Sequence, residues 1–189
     1  AVVARGTDLV YSITRDITKQ KQEEAYLRML ESVVVNGEDS VLITSTEAID
    51  QPGPIIEYAN DAMCRMTGYS MDEIIGQNPR MFQGPLTERA PLDKIRHALE
   101  TWIPVNVEVT NHKKDGTPFE VNISIYPVTN TDGWFTHWIS IQRDITEQRQ
   151  KDAKLKENEA NLKALINNTQ DIIFSIGKEK ELLTFNESF

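Results

Sequence analysis

Two amide side chains and two guanidinium groups carry the most specific chemistry in this sequence. Asn111 reads as part of one strand and Gln142 as part of the last. An amide offers both a donor and an acceptor, so two of them reaching from neighbouring strands can grip one planar heterocycle. Arg80 and Arg96 lie sixteen residues apart on separate helical segments. Their planar, forked guanidinium groups suit bidentate contact with a phosphate in a way lysine does not. All four also have plainer readings, because single Asn, Gln and Arg side chains are mostly solvated at protein surfaces. Asn78 reads without a ligand too, as an N-cap before Pro79 at the first helical position.

The elements that must position these groups follow from periodicity and turn chemistry. Val41-Leu42-Ile43-Thr44 and Ile55-Ile56-Glu57-Tyr58 are short β-branched runs separated by Asp50-Gln51-Pro52-Gly53-Pro54, a hairpin pattern. Asn60 opens a short helix that carries Met63, Met66 and Thr67 and stops at Gly68. Leu92, Ile95, Leu99 and Trp102 recur at spacings of three and four, predicting an amphipathic helix from Leu92 to Trp102 that ends near Pro104. The period then changes to two over Val105–Val109 and Phe119–Tyr126, with Lys114-Asp115-Gly116-Thr117 as the turn between them. Trp134 to Ile145 closes the series. This order predicts an α+β fold, a five-stranded antiparallel sheet with short helices on one face.

An internal repeat sets the organisation of the chain. Ser12-Ile13-Thr14-Arg15-Asp16-Ile17-Thr18 recurs as Ser140-Ile141-Gln142-Arg143-Asp144-Ile145-Thr146, 128 positions later, and each copy runs into a polar, helix-favouring stretch. Leu165–Phe189 resembles Leu30–Met63 more loosely, aligning Asp171 with Asp39 and Asn186 with Asn60. Residues 1–17 therefore read as the end of one domain, 18–36 as a linker helix and 37–146 as a complete unit. Residues 147–165 read as a second linker helix and 166–189 as the start of a third domain. Leu155, Leu162, Leu165 and Ile166 form a stripe along the second linker, and Tyr26, Leu30 and Val33 along the first. Each stripe fits either a short coiled coil or a helix packed on its own domain's sheet.

Composition narrows the function. Lys and Arg total 20 against 29 Asp and Glu, a net charge of −9 in 189 residues without an initiator Met. That balance opposes a surface for phosphate backbones, so nucleic acid is not an expected partner. Cys64 is the sole cysteine, and no apolar run approaches the roughly 18–20 residues that span a bilayer. These features predict a piece of a cytoplasmic protein with no membrane contact of its own. His97, His112 and His137 are scattered away from metal-ligand spacing, so no metal site is expected. No phosphate loop, nucleophile elbow or kinase core motif appears, so no catalytic residue is assigned.

The element order, the closing Asp-Ile-Thr and the polar helix after it resemble a PAS domain of multi-sensor signalling proteins. Within that family, Gly76-Gln77-Asn78-Pro79-Arg80-Met81-Phe82-Gln83-Gly84 is similar to the G-x-N-C-R-F-L-Q-G stretch of the light-oxygen-voltage subfamily. The resemblance implies that Asn78, Arg80, Gln83, Arg96, Asn111 and Gln142 contact flavin mononucleotide, or flavin-adenine dinucleotide, with the two arginines on phosphate. Two positions depart from the pattern. Pro79 stands where the photoreactive cysteine belongs, and a pyrrolidine ring supplies no nucleophile, so no covalent flavin–cysteine adduct is expected. Val121 stands where a second asparagine is usual, and Asn122, one residue on, points to the other face of the sheet. The resemblance implies a non-enzymatic sensory domain, a homodimer joined through its flanking helices, and neighbouring PAS and output domains of a sensor histidine kinase or cyclic-dinucleotide enzyme. The alternative is a ligand-free PAS module that dimerises and relays signals.

Overall fold

The alternating stretches Val105–Val109 and Phe119–Tyr126 fold as strands whose apolar side faces inward, whereas the closing strand buries Trp138, Ser140 and Gln142 and leaves Ile141 39% exposed. The computed structural model describes residues 2–6, 9–13, 16–46, 53–168, 174–176, 178 and 182–185. Strands β1 (Val2–Gly6) and β2 (Leu9–Ile13) form an antiparallel pair ahead of helix α1 (Thr18–Val35). The central domain follows with β3 (Ser40–Ser45), β4 (Ile56–Ala59), α2 (Asp61–Thr67), α3 (Met71–Ile74), a 3-10 turn (Pro79–Phe82) and α4 (Arg89–Thr101). It closes with β5 (Val105–His112), β6 (Pro118–Thr129) and β7 (Phe135–Asp144), then α5 (Thr146–Asn167). A further antiparallel pair joins β8 (Phe174–Ile176) to β9 (Leu182–Phe185).

The central sheet has five antiparallel strands in the order β4-β3-β7-β6-β5, the architecture expected from the sequence. The turn at Asp50-Gln51-Pro52 and the aligned residues Asp171 and Asn186 lie outside the described residues. Helix α4 begins three residues before the predicted Leu92. Its first turn, Arg89-Ala90-Pro91, lacks the apolar spacing that marks a helix, and Pro91 is tolerated there because first-turn N–H groups have no intrahelical acceptor. Gly68 ends α2 at φ 78°, a left-handed conformation that glycine adopts without a Cβ clash.

The inner face of the sheet carries two apolar clusters. Leu42, Ile56, Ala59, Met63, Ile74 and Phe82 join β3 and β4 to the short helices, and Val107, Val109, Phe119, Val121 and Ile123 join β5 to β6. Lys114 in the β5–β6 turn donates to Glu73 at 2.5 Å. That bond, with the Ser70 backbone N–H, holds the Glu73 carboxyl down to about 2 and fastens the turn to α3.

Asn60 joins the incoming helix to the sheet. It is 2% exposed, and its nitrogen donates to the Val34 and Asp39 carbonyls while its oxygen accepts from Val41 N and Met63 N. All four hydrogen-bonding positions of the amide are thus used. Arg143 at the end of β7 clasps Asp39 with two bonds of 2.8 and 2.7 Å, which lowers the Asp39 carboxyl below its ordinary range.

The two copies of the repeated motif have the same local geometry. Ile17 and Ile145 precede α1 and α5 with φ/ψ of −111°/14° and −111°/10°. Asp16 accepts from Thr18 N at 2.8 Å, and Asp144 accepts from Thr146 N at 2.9 Å. No residue of α1 or α5 is buried; Leu162 and Val33, for example, are 59% and 68% exposed. The reading of these stripes as helices packed on their own sheet is therefore not what the structure has. Among the described residues no helix is long and apolar enough to cross a membrane.

Candidate ligand cavity

Strand pleating and the 3-10 turn bring all six predicted residues to one place. Asn78 caps the turn, Arg80 lies within it and Gln83 ends it. Arg96 projects from α4, Asn111 from β5 and Gln142 from β7. All six border a single cavity of about 200 Å³ between the inner sheet face and these segments. Leu42, Phe82, Leu92, Ile95, Val109 and Ile123 supply apolar wall, so the site combines a mostly apolar surface with a few placed polar groups, as ligand sites do.

Asn111 and Gln142 do not sit on neighbouring strands as the sequence suggests, because β6 runs between β5 and β7. The sequential strands β6 and β7 pair, but β7 also pairs with β3, a non-local contact that spacing does not encode. Gln142 lies level with Ile123 and, beyond it, Val107. Asn111 is four residues further along β5, roughly 13 Å at strand rise and about 10 Å across two strand spacings. One ligand touching both must extend across β6, which suits a fused multi-ring heterocycle better than a single small ring.

The polar groups differ in how they are held. The Gln142 side chain is 4% exposed and donates from Nε2 to Ser140 Oγ at 3.2 Å, yet its buried Oε1 has no hydrogen-bond partner. An orphaned buried acceptor loses about 1–3 kcal/mol relative to a satisfied one, so a donor on a ligand would relieve it. Asn111 is 6% exposed. Asn78 both caps the turn, accepting from Arg80 N at 3.0 Å, and lines the cavity, so its plain reading and its cavity position coexist. Val121 is fully buried among Val107, Val109 and Phe119. Asn122 points to the opposite sheet face, where its amide exchanges two bonds with Asn106.

Arg80 and Arg96 share the cavity with a third arginine that sequence reasoning missed, Arg89, set against one carboxylate, Asp93. Arg89 is bonded to Asp93 at 3.1 Å, and Arg96 lies 3.8 Å from Glu100. An acidic chain thus gathers three cations at one cavity, a local field that favours an anion. Gly84, part of the motif stretch, has a packing role of its own. A Cβ there would stand 2.3–2.6 Å from the His112 ring, so only glycine lets Gln83 approach β5 this closely. Thr87 pins the same segment, accepting from Gly84 N and donating to the Thr110 carbonyl. Cys64 does not border the cavity, and burial followed by the nearby Asp61 pushes its thiol up, away from the reactive thiolate. His97 is exposed on α4.

Fold and cavity together define an α+β module with a recess lined by polar and apolar groups, and the chain belongs to the PAS domain family, which residues 38–147 match. Its relatives include a blue-light-activated histidine kinase of Brucella anthropi, 38% identical over 122 residues, covering 65% of this chain and 24% of that protein. The light-state structure of the Aureochrome1 blue-light photoreceptor LOV domain is 30% identical with a TM-score of 0.54, covering 70% of this chain and 98% of that one. The LOV domain of an Erythrobacter litoralis EL346 blue-light-activated histidine kinase is 26% identical with a TM-score of 0.53, covering 57% and 96%. The chain spans about a quarter of the length of the histidine kinases it matches. It is a sensory PAS module related to blue-light histidine kinases, with LOV domains as structural neighbours.

Proposed function

We propose that residues 37–146 bind a flavin non-covalently as a light- or redox-responsive cofactor and relay its state through α1 and α5. The observation that carries this reading is the convergence of six polar positions on one cavity, among them Gln142, whose buried oxygen has no partner. Asn111 and Gln142 would hold the polar edge of the ring, Leu42, Phe82 and Ile123 its faces, and Arg80 with Arg96 the phosphate. Bound flavin supplies one- and two-electron redox chemistry and visible absorption. Pro79 lines the cavity and offers no thiol, so the protein contributes no nucleophile from that position. Protein reconstituted with flavin mononucleotide is expected to be yellow, absorbing at about 450 nm, and blue light without an electron donor should leave that band in place. A colourless protein, or donor-independent conversion to a species absorbing only in the near ultraviolet, would refute the reading.

The second reading is a ligand-free relay module. One observation favours it: the cavity, at about 200 Å³, is smaller than the ~300–1,000 Å³ of most ligand sites. The same absorption measurement separates the two.

The output belongs to the rest of the protein, a histidine kinase or cyclic-dinucleotide enzyme. The matching geometry before α1 and α5 supports residues 1–17 as the end of a preceding PAS-like domain, 18–36 and 147–165 as linkers, and 166–189 as the start of a following one. The exposed stripes on α1 and α5 support a homodimer, since a parallel pair would cover Leu155, Leu162 and Leu165 of both copies. Leu162→Asp is expected to shift the protein towards monomer at micromolar concentration, because the seam would bury a carboxylate. An unchanged mass in light scattering would discard this seam.

A further inference from the structure

A stack of aromatic rings runs from the cavity wall to the protein surface. Trp138 on β7 lines the cavity and is 4% exposed. Its ring centroid lies 5.0 Å from that of Trp102 with the planes 10° apart, and Trp102 stacks on Phe135 at 4.4 Å and 9°. Phe135 is 39% exposed, so the stack reaches solvent.

The stack is held at a conformational cost. Trp102 ends α4 with φ 57°, the left-handed region that bulky residues avoid and glycine usually occupies at helix ends. It is the one non-glycine residue with positive φ among the described residues. In that conformation the indole lies flat against both partners instead of continuing the outer face of the helix. A large apolar ring of any kind would serve packing. Indole differs from phenylalanine in how readily it gives up an electron, and the two indoles occupy the cavity wall and the next layer out.

We propose that Trp138 and Trp102 form a two-step electron-donor path into the cavity, which makes its light response a one-electron chemistry. This rests on the flavin reading above. On illumination one electron leaves the Trp138 indole for the photoexcited flavin, and Trp138 becomes a radical cation. One electron then crosses the stack from Trp102, which restores Trp138. The Trp102 radical cation, half-buried, loses its ring N–H proton to water. Phe135 resists oxidation, so the hole stops at Trp102. A thiol in solution returns one electron and one proton to Trp102 and is left as a thiyl radical. Both tryptophans end unchanged, one electron having passed from thiol to flavin. Pro79 fits this scheme, since no cavity thiol competes for the excited state.

The test begins with protein reconstituted with flavin mononucleotide, its bound fraction measured by absorbance after gel filtration. Flavin fluorescence lifetime and the transient visible absorption of the tryptophan radical are then read on the same samples. The wild type is expected to show a short lifetime and the radical signal. Trp138→Phe should lengthen the lifetime several-fold and abolish the radical, while Trp138→Tyr, equally truncated but oxidisable, should keep the lifetime short. Trp102→Phe should keep the short lifetime but lower the photoreduction yield with thiol several-fold, because charge returns to Trp138 before it can escape. Equal lifetimes in wild type and Trp138→Phe at matched flavin occupancy would overturn the path, as would Trp138→Tyr behaving like Trp138→Phe. A wild type that binds no flavin overturns the functional reading and the path with it, and the first measurement alone reveals that case.

Discussion

Replacing Arg80 and Arg96 together with alanine should weaken binding of flavin mononucleotide by about 100-fold, or roughly 2.7 kcal/mol, while riboflavin loses less than about threefold. The asymmetry follows from what the two groups offer. Both border the cavity, and a guanidinium makes charge-assisted bonds to a phosphate but has little to give a neutral ribityl hydroxyl. Each such bond contributes about 1.5–3 kcal/mol in favourable settings. The Arg96 side chain is 39% exposed, so solvent screening brings the pair just below the combined range of about 3–6 kcal/mol. Raising salt should reduce the affinity for the phosphorylated flavin and narrow the gap between the two ligands. Arg89 is the internal control. Its side chain is 80% exposed against 39% for Arg96, so solvent screening should make Arg89→Ala cost less than Arg96→Ala. Titration of the three variants with both ligands by fluorescence quenching decides the matter, and equal losses for the two flavins would remove the phosphate clamp.

The sheet was legible because each strand carries its own local signal. Alternation in Val105–Val109 and Phe119–Tyr126, with Gly116 at φ 85° between them, needs no distant information. The six polar positions were legible through motif resemblance, and three of them, Asn78, Arg80 and Gln83, lie within one six-residue segment that a single turn must bring together. What escaped was set by long-range pairing. Strand β7 pairs not only with β6 beside it but with β3, almost one hundred residues earlier in the chain, and hydrophobic period does not specify such a partner. The Trp102–Trp138 stack joins a helix end to a strand, and each residue alone reads as ordinary core. Gly84 stands in the motif stretch, but its role depends on the His112 ring, which lies far along the chain and leaves no room for a Cβ. The start of α4 was hidden by Pro91, which acts as a breaker inside a helix but is neutral in its first turn.

Gln142→Leu should keep flavin binding within about tenfold, or roughly 1.4 kcal/mol, yet abolish the redox-dependent change in α5. The position has two separate jobs. Its Oε1 is buried without a partner, so in the unliganded protein leucine removes an unsatisfied acceptor. The variant should therefore match or exceed the wild type in thermal stability before flavin is added. Towards the helix, Gln142 precedes Arg143, which clasps Asp39 beside the end of α1, and Asp144, which accepts from the first N–H of α5. Thr146 and Ile145 are fixed in turn to Glu120 on β6, and Arg149 pairs with Glu108 on β5. A glutamine must rotate to keep a bond when its partner changes from acceptor to donor, because the two ends of the amide are not interchangeable. Such a rotation at Gln142 moves a strand whose next four residues hold both linker helices. Leucine has no such preference, so the two redox states become equivalent to the strand, and a ligand that makes no differential contact shifts no equilibrium. Hydrogen exchange over residues 147–165, compared in oxidised and reduced protein, reads the outcome directly. Wild type should differ between the two states and Gln142→Leu should not; the same redox-dependent protection in both proteins would mean that the signal leaves the cavity by another strand.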